Sequence, residues 1–86
     1  MTKMENIKQL LNEREKTHGN FAQAAIDFEA LQAVIYDAEN LSASHKYALN
    51  MIMLKITRIL HGDPCEKDHW KDIAGYALLG GDIRDE

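Results

Sequence analysis

The sequence predicts an all-α protein, a compact bundle of about four helices in a single domain. Apolar residues recur at intervals of three and four through most of the 86 residues, and no segment alternates apolar and polar residues for long enough to form a strand. Polar helix-capping residues and stops rich in glycine or proline divide this pattern into four segments. We therefore predict one domain over residues 1–86, with helices at about 3–17, 21–39, 43–61 and 67–79.

The first two helices have recognisable starts. Thr2 with Glu5 three residues later has the spacing of a capping box, and the first helix is expected to end by His18-Gly19. Asn20 is a good N-cap for the second helix, and Asn40 is its predicted stop. The apolar stripe of the second helix consists of Phe21, Ala24, Ala25, Phe28, Leu31 and Ile35.

The third helix is the most apolar part of the chain. Ser42 is its predicted N-cap, and apolar residues between Tyr47 and Leu60 surround nearly the whole circumference, so we expect it at the centre of the bundle. Gly62-Asp63-Pro64 ends it, and Gly80-Gly81 ends the fourth helix. The residues of the fourth helix that we expect to face inward are Trp70, Ile73, Ala74, Ala77 and Leu78.

Composition excludes several classes of function. The net charge of -4 disfavours general binding to a nucleic-acid backbone. Lys55 and Arg58 interrupt the longest apolar runs well short of the roughly 20 residues that a membrane span needs.

Cys65 is the only cysteine and no signal peptide is recognisable, which favours a location in the cytoplasm. Because so small a core supplies only about 3–5 kcal/mol without disulfides or metals, we expect further support from homo-oligomerisation.

Two groups of residues on the last two helices are candidates for chemistry. Lys55 and Arg58 share one side of the third helix and form either a clamp for phosphate or carboxylate, or a pair of cations whose heads reach water or an acid on a neighbouring helix. His69, Asp72 and Tyr76 lie at i, i+3 and i+7 on one face of the fourth. A histidine and a carboxylate one turn apart suit acid–base chemistry or a metal, unless Asp72 is the structural partner of Lys55 or Arg58.

The joints between helices offer weaker candidates. Residues 13–20 place charges and His18 just before the N-terminus of the second helix, which either binds an anion through its free N–H groups or is an ordinary joint. His61 and Cys65 are spaced as two metal ligands, but two more would have to come from elsewhere. The common motifs for nucleotide binding, zinc proteolysis and serine hydrolysis are absent from the sequence.

Three segments of the chain have distinctive residue patterns: Glu13-Arg14-Glu15-Lys16-Thr17-His18-Gly19-Asn20-Phe21, Leu54-Lys55-Ile56-Thr57-Arg58-Ile59-Leu60 and Asp68-His69-Trp70-Lys71-Asp72-Ile73-Ala74-Gly75-Tyr76-Ala77. These segments resemble a family of small proteins encoded by tailed phages and prophages. This resemblance spans nearly the whole chain. It implies an accessory role in a phage or prophage but no particular activity.

A more distant resemblance is to the MazG-like all-α nucleotide pyrophosphohydrolases, in which a Glu-x-x-Asp motif precedes an apolar run. The segment from His69 to Asp72 occupies that motif, so the resemblance implies a metal-binding role for Asp72, while a histidine stands in place of the glutamate. Where that family has glutamates on a preceding helix, this chain has Asn50, Lys55 and Arg58. A site with cations in place of acids would contact phosphate directly instead of through Mg²⁺.

We therefore predict a non-catalytic accessory protein that binds a nucleotide-like or other anionic ligand, or a host protein, without a cofactor. The candidate ligand-binding residues are Lys55, Arg58, His69, Asp72, Tyr76 and His18. One alternative is a divergent pyrophosphohydrolase with Asp72 as its catalytic residue, which together with Glu13 and Glu15 would hold Mg²⁺. Another is an acidic interaction or inhibitor protein with no small-molecule ligand.

Overall fold

The computed structural model describes residues 2–85 and contains four α-helices. They are α1 (Lys3–His18), α2 (Phe21–Tyr36), α3 (Ala43–His61) and α4 (Lys67–Gly80). Within the described residues there is no strand, and no helix is both long and apolar enough to cross a membrane. The prediction of an all-α bundle is confirmed.

The predicted N-caps of the first three helices are confirmed. The Thr2 hydroxyl accepts a hydrogen bond from the Glu5 N–H, and the Glu5 carboxylate accepts one from the Thr2 N–H, both at 3.2 Å. The Asn20 side chain accepts from the Gln23 N–H at 3.0 Å, and the Ser42 hydroxyl accepts from the third residue of α3. These bonds satisfy backbone donors that have no partner inside their own helix.

Helix α2 ends at Tyr36, three residues before the predicted end at residue 39. The Asp37 N–H donates to the Ala33 carbonyl at 3.3 Å, and the Ala38 N–H donates to the Ile35 carbonyl at 3.1 Å. The second bond spans only three residues, which tightens the last turn in the manner of a 3₁₀-helix and ends the α-helical ladder. The polar residues that follow belong to the connection to α3.

Helix α3 is central, because α1, α2 and α4 all pack against it. The apolar residues around its circumference predict this position. Among the described residues, Ala48 and Met53 are the only buried apolar side chains, and both belong to α3. The other buried side chains of this helix are Lys55 and Thr57, so the centre of the bundle is partly polar.

The predicted inward face of α4 is wrong except at Ile73. Trp70 is about half exposed, and its indole N–H donates to the Pro64 carbonyl at 2.8 Å. His69 is the buried residue of this helix, and Ile73 and Tyr76, on the same side, are half-buried. Hydrogen bonds of His69 and Trp70 to the backbone therefore set the rotation of α4, in place of the apolar stripe. The predicted inward residues that are exposed, besides Trp70, are Ala74, Ala77 and Leu78.

Two glycine-containing joints cross in close backbone contact. Gly19 has a φ of 83°, and a Cβ atom at this position would overlap the backbone of His61. A Cβ atom at Gly62 would overlap the Thr17 carbonyl, and the Asp63 N–H donates to that same carbonyl at 2.9 Å. The end of α1 is thereby held against the joint between α3 and α4.

Candidate functional site

Lys55 and Asp72 form an ion pair between α3 and α4. The Nζ atom of Lys55 lies 2.9 Å from Oδ2 of Asp72, with 11% of the lysine side chain and 47% of the aspartate side chain exposed. The hydrogen bond from Lys55 holds the pKa of Asp72 below its ordinary value, and the nearby charges of Lys55, His69 and Arg58 act in the same direction. The sequence leaves open whether Lys55 belongs to an anion clamp or to a structural ion pair. In the structure, Lys55 forms the ion pair with Asp72.

His69 connects α4 to the end of α1. Its side chain is almost completely buried, and Nε2 lies 2.9 Å from the Thr17 carbonyl oxygen. A carbonyl oxygen only accepts, so this contact assigns the proton to Nε2. The predicted ligand-binding histidine of α4 therefore has one ring nitrogen committed to the backbone.

His18 lies beside His69 in a positively charged environment. The two ring centroids are 5.2 Å apart with an angle of 52° between the ring planes. Partial burial lowers the pKa of His18, and the positive charges of Arg58, His69, Lys55 and Arg14 lower it further. Burial first and the neighbouring cations second thus favour the neutral imidazole, and an anion placed here would offset the repulsion from those cations.

An open groove lies between α1 and α2, and its floor is formed by α3. We call it the α1–α2 groove; its volume is about 850 Å³. Its apolar lining includes Leu11, Phe21, Phe28 and Leu54, and its basic lining consists of Arg14, His18 and Arg58. The first turn of α2 also lines the groove, and the first N–H groups of a helix carry a partial positive charge without intrahelical partners.

Two of the cations in this groove have no acidic partner. The ion pairs of the described chain are Lys55–Asp72, His61–Asp27 and Arg84–Asp82. Within residues 2–85, Arg14 and Arg58 therefore form no ion pair. Each presents a planar guanidinium group, whose N–H groups match the oxygen atoms of a phosphate or a carboxylate.

The remaining predicted site residues lie elsewhere. Tyr76 lines a separate hollow of about 470 Å³ between the start of α3 and the end of α4, where Tyr47 is its neighbour. His61 contacts Asp27 of α2, and Cys65 is exposed. The structure thus brings His18 and Arg58 to one groove and leaves Tyr76 outside it.

The acids of the enzyme alternative are not grouped. Glu13 and Glu15 belong to α1, where Glu15 lines the α1–α2 groove, whereas Asp72 binds Lys55. Across residues 2–85, no three His, Cys, Asp or Glu side chains are positioned to hold a metal ion together. Asp72, Glu13 and Glu15 therefore form no such group, and no third ligand joins His61 and Cys65 among the described residues.

Arg14 is a groove residue that was not among the site residues predicted from sequence. Arg14 is four residues before His18, so the two share one face of α1, and this spacing is the signal that identifies it. Arg58 and the N-terminus of α2 were predicted as two separate candidates for anion binding. Both line the same groove, because the joint at Gly19 crosses the joint at Gly62.

Comparison with known proteins gives one match. A family model described as Domain of unknown function (DUF6378) matches residues 2–84, which is nearly the whole chain. No curated protein and no solved structure matches the chain.

Proposed function

The chain belongs to the DUF6378 family of domains of unknown function, and we propose that it is a non-catalytic module that binds a nucleotide-like anionic ligand in the α1–α2 groove. The observation that carries this proposal is the pair of guanidinium groups, Arg14 and Arg58, that line the groove without an acidic partner among the described residues. The ligand-contacting residues are Arg14, Arg58 and His18. His69 packs beside His18 with the ring centroids 5.2 Å apart, whereas Lys55 and Asp72 pair with each other outside the groove lining.

The charge distribution supports an anion at this position. The chain as a whole carries a net charge of -4, yet Arg14, Arg58 and His18 line one groove in which Glu15 is the only acidic lining residue among those described. Charges in a groove with apolar walls are screened less than charges on an open surface, so a bound phosphate would gain more from them. The first turn of α2 lines the same groove, and of its N–H groups those of Phe21 and Ala22 precede the one that caps on Asn20.

The apolar lining supports a ligand with a planar or aromatic part. Phe21 and Phe28 of α2 and Leu54 of α3 line the same groove as the arginines. Aromatic side chains stack with nucleobases, and this stacking tolerates different bases. The volume of about 850 Å³ lies within the range of small-molecule sites. A nucleotide has both required parts, an anionic group and a planar ring.

The resemblance to small phage and prophage proteins supports a biological setting for this binding. We propose an accessory role in host takeover or in evading host defence, in the cytoplasm of a bacterial host. Sequestering a signalling nucleotide would need binding without turnover, which agrees with a groove lined by Arg58, one of the residues that stand where the MazG-like enzymes have glutamates. The working unit in this proposal is a homo-oligomer.

Isothermal titration against a panel of nucleotides and cyclic dinucleotides tests the proposal. We expect at least one ligand to bind, with an affinity that falls as salt concentration rises. Arg58→Gln should weaken binding roughly tenfold or more, because it removes a charge-assisted hydrogen bond of about 1.5–3 kcal/mol. Arg84→Gln is the matched control, since Arg84 pairs with Asp82 near the end of the chain. Absence of binding heat with every member of the panel would overturn the proposal.

The pyrophosphohydrolase alternative has a separate test. It requires Asp72 to hold Mg²⁺ together with Glu13 and Glu15, whereas Asp72 is hydrogen-bonded to Lys55. Release of pyrophosphate from nucleoside triphosphates, lost in an Asp72→Asn variant but retained in Glu39→Gln, would favour this alternative over the binding module. Binding heat without pyrophosphate release is the result that our proposal predicts.

A further inference from the structure

Helix α2 is apolar on nearly all sides and yet is not covered. Its only charged residues are Asp27 and Glu29. A helix with apolar residues around its whole circumference is normally buried in a protein interior. All residues of α2 are described by the structure, and none of them is buried. The helix packs one side against α3 and leaves its other sides uncovered. Its other sides therefore present apolar surface to solvent.

The surface area of the whole chain shows the same shortage of burial. The accessible surface is 6795 Å², whereas a folded monomer of 9.8 kDa exposes about 5200 Å². The radius of gyration is 15.4 Å, compared with about 12 Å for a fully packed domain of this length. The excess, on the order of 1600 Å² per chain, is the amount that each subunit of an obligate homodimer buries.

We propose that a second copy of this chain covers this surface, and that the protein is an obligate homodimer whose contact is built on α1 and α2. The argument for a second copy is the size of the core. With Ala48 and Met53 as the only buried apolar side chains among the described residues, the chain needs its partner whenever it is folded. A second copy is present wherever the chain is made, whereas a different partner would leave unbound chains without a core.

One exposed face of α2 is complementary to itself. Ile26, Ala30 and Val34 lie at i, i+4 and i+8, with 60% of Ile26 and 75% of Val34 exposed. A two-fold axis through Ala30 pairs α2 with α2 of the second copy in antiparallel orientation, and Ile26 of each copy then meets Val34 of the other. Ala30 at the axis allows the helix axes to approach to about 8 Å. The matched spacing on either side of Ala30 is what this symmetry requires.

Helix α1 supplies the rest of the contact surface. Its apolar side chains Met4, Ile7, Leu10 and Leu11 are all about half exposed or more, and the helix has no buried residue along its described length. Met4, Ile7 and Leu11 are spaced by three and four residues, which is the pattern of a helix that packs along another helix. We include α1 in the proposed interface because its apolar side chains are exposed as those of α2 are.

Sedimentation equilibrium of the full chain over a concentration series is the first test. We expect a species of twice the 9.8 kDa chain mass, with a melting temperature that rises with protein concentration. A folded species of 9.8 kDa at micromolar concentration would overturn the proposal. A trimer would overturn it as well, since the α2 pairing has two-fold symmetry.

Cross-linking tests the position of the axis without disturbing the fold. In a Cys65→Ser background, Ala30→Cys places two thiols across the axis, within the roughly 4.4–6.8 Å Cα separation of a disulfide. We expect oxidation to give a covalent dimer in high yield with its melting temperature retained. Lys71→Cys, on the exposed surface of α4, is the matched control and should stay uncoupled. Equal yields at the two positions would contradict an axis at Ala30.

A charge on the same face is the complementary test. Val34→Arg should abolish the dimer, seen as a monomer mass or as loss of the folded helical signal, whereas Gln32→Arg on another side of α2 should retain the dimer. A dimer that Val34→Arg leaves intact would refute the assigned face. The dimer contact and the ligand groove share α1, since Leu11 also lines the α1–α2 groove, but their tests are separate: mass and cross-linking report on the dimer, and titration heat reports on the groove.

Discussion

The Nζ atom of Lys55 lies 2.9 Å from Oδ2 of Asp72, and this contact joins the central helix to the last one. The lysine is nearly buried, so it depends on the carboxylate for its partner, whereas the carboxylate is half exposed and reaches water as well. The two residues are therefore unequal members of the pair. Removing the acid leaves a buried ammonium group without a partner.

We expect Asp72→Asn to lower the melting temperature in a pH-dependent way. The folded-state pKa of Asp72 lies below its ordinary value of 3.8, so its contribution to stability is complete above pH 3.8 and is lost as pH falls through the lower folded-state pKa. The gap in melting temperature between wild type and variant should therefore be widest near neutral pH and close in strong acid. Calorimetry from pH 2 to 7 measures it.

Glu13→Gln is the control for this experiment. Glu13 is an exposed carboxylate on α1 and forms no ion pair within residues 2–85. The control should follow the wild-type curve at every pH. A gap for Asp72→Asn that stayed constant across the range would show that the ion pair does not act through the charge of Asp72.

From the lowered pKa of His18 we predict a second pH dependence of the protein's stability, near neutral pH. Burial and the surrounding cations hold its folded-state pKa below 6.5. Between the two pKa values the unfolded chain binds more protons than the folded one, so stability rises with pH up to about 6.5 and is level above it. His18→Asn should flatten this part of the stability curve. His45→Gln, which keeps an acceptor at the cap of α3, should leave the slope unchanged.

Ligand binding should shift the same histidine in the opposite direction. A phosphate beside His18 and Arg58 favours the imidazolium form, so binding should take up protons and tighten as pH falls from 7.5 to 6. Titrations at pH 6.5 in buffers of different ionisation enthalpy measure this uptake directly. If the observed heat were independent of the buffer in wild type, or equally dependent in His18→Asn, the ligand would not contact His18.

The helix starts could be predicted from sequence because capping is local. Thr2, Asn20 and Ser42 each accept a hydrogen bond from a residue three positions later, so the donor and the acceptor lie within one short segment. The glycine at position 19 is similarly local, since its φ of 83° is a conformation that few other residues adopt. Short-range geometry therefore accounts for the starts of the first three helices.

The rotation of α4 and the composition of the groove could not be predicted in the same way. Trp70 remains at the surface because its N–H donates to the Pro64 carbonyl, a partner on the preceding joint. Arg58 and His18 meet through the crossing of two joints that are far apart in sequence. A pattern along one helix carries no information about such partners. Periodicity therefore identified the elements but assigned the wrong face of α4 to the core.

His69 should be required for stability. His69→Ala removes a buried ring and its hydrogen bond to the Thr17 carbonyl, which together should lower the free energy of unfolding by about 2–4 kcal/mol. His69→Gln retains an N–H donor and should cost less. Urea denaturation at fixed chain concentration measures the free energy of unfolding of wild type and both variants, which should fall in the order wild type, His69→Gln, His69→Ala. Amide hydrogen exchange in the last turn of α1 should accelerate in His69→Ala, because this hydrogen bond holds that turn against α4.

Gly19 and Gly75 should respond oppositely to the same substitution. Gly19→Ala meets both a positive φ and the backbone of His61, so it should destabilise the protein by well over 1 kcal/mol and loosen α1 from the bundle. Gly75 lies inside α4, and a Cβ atom there meets open space, so Gly75→Ala should stabilise by roughly 0.5–1 kcal/mol through helix propensity. Urea denaturation of both variants beside wild type measures the two shifts. Equal effects of the two substitutions would contradict the crossing of the joints, because only at Gly19 does the backbone of another helix occupy the space that the methyl group needs.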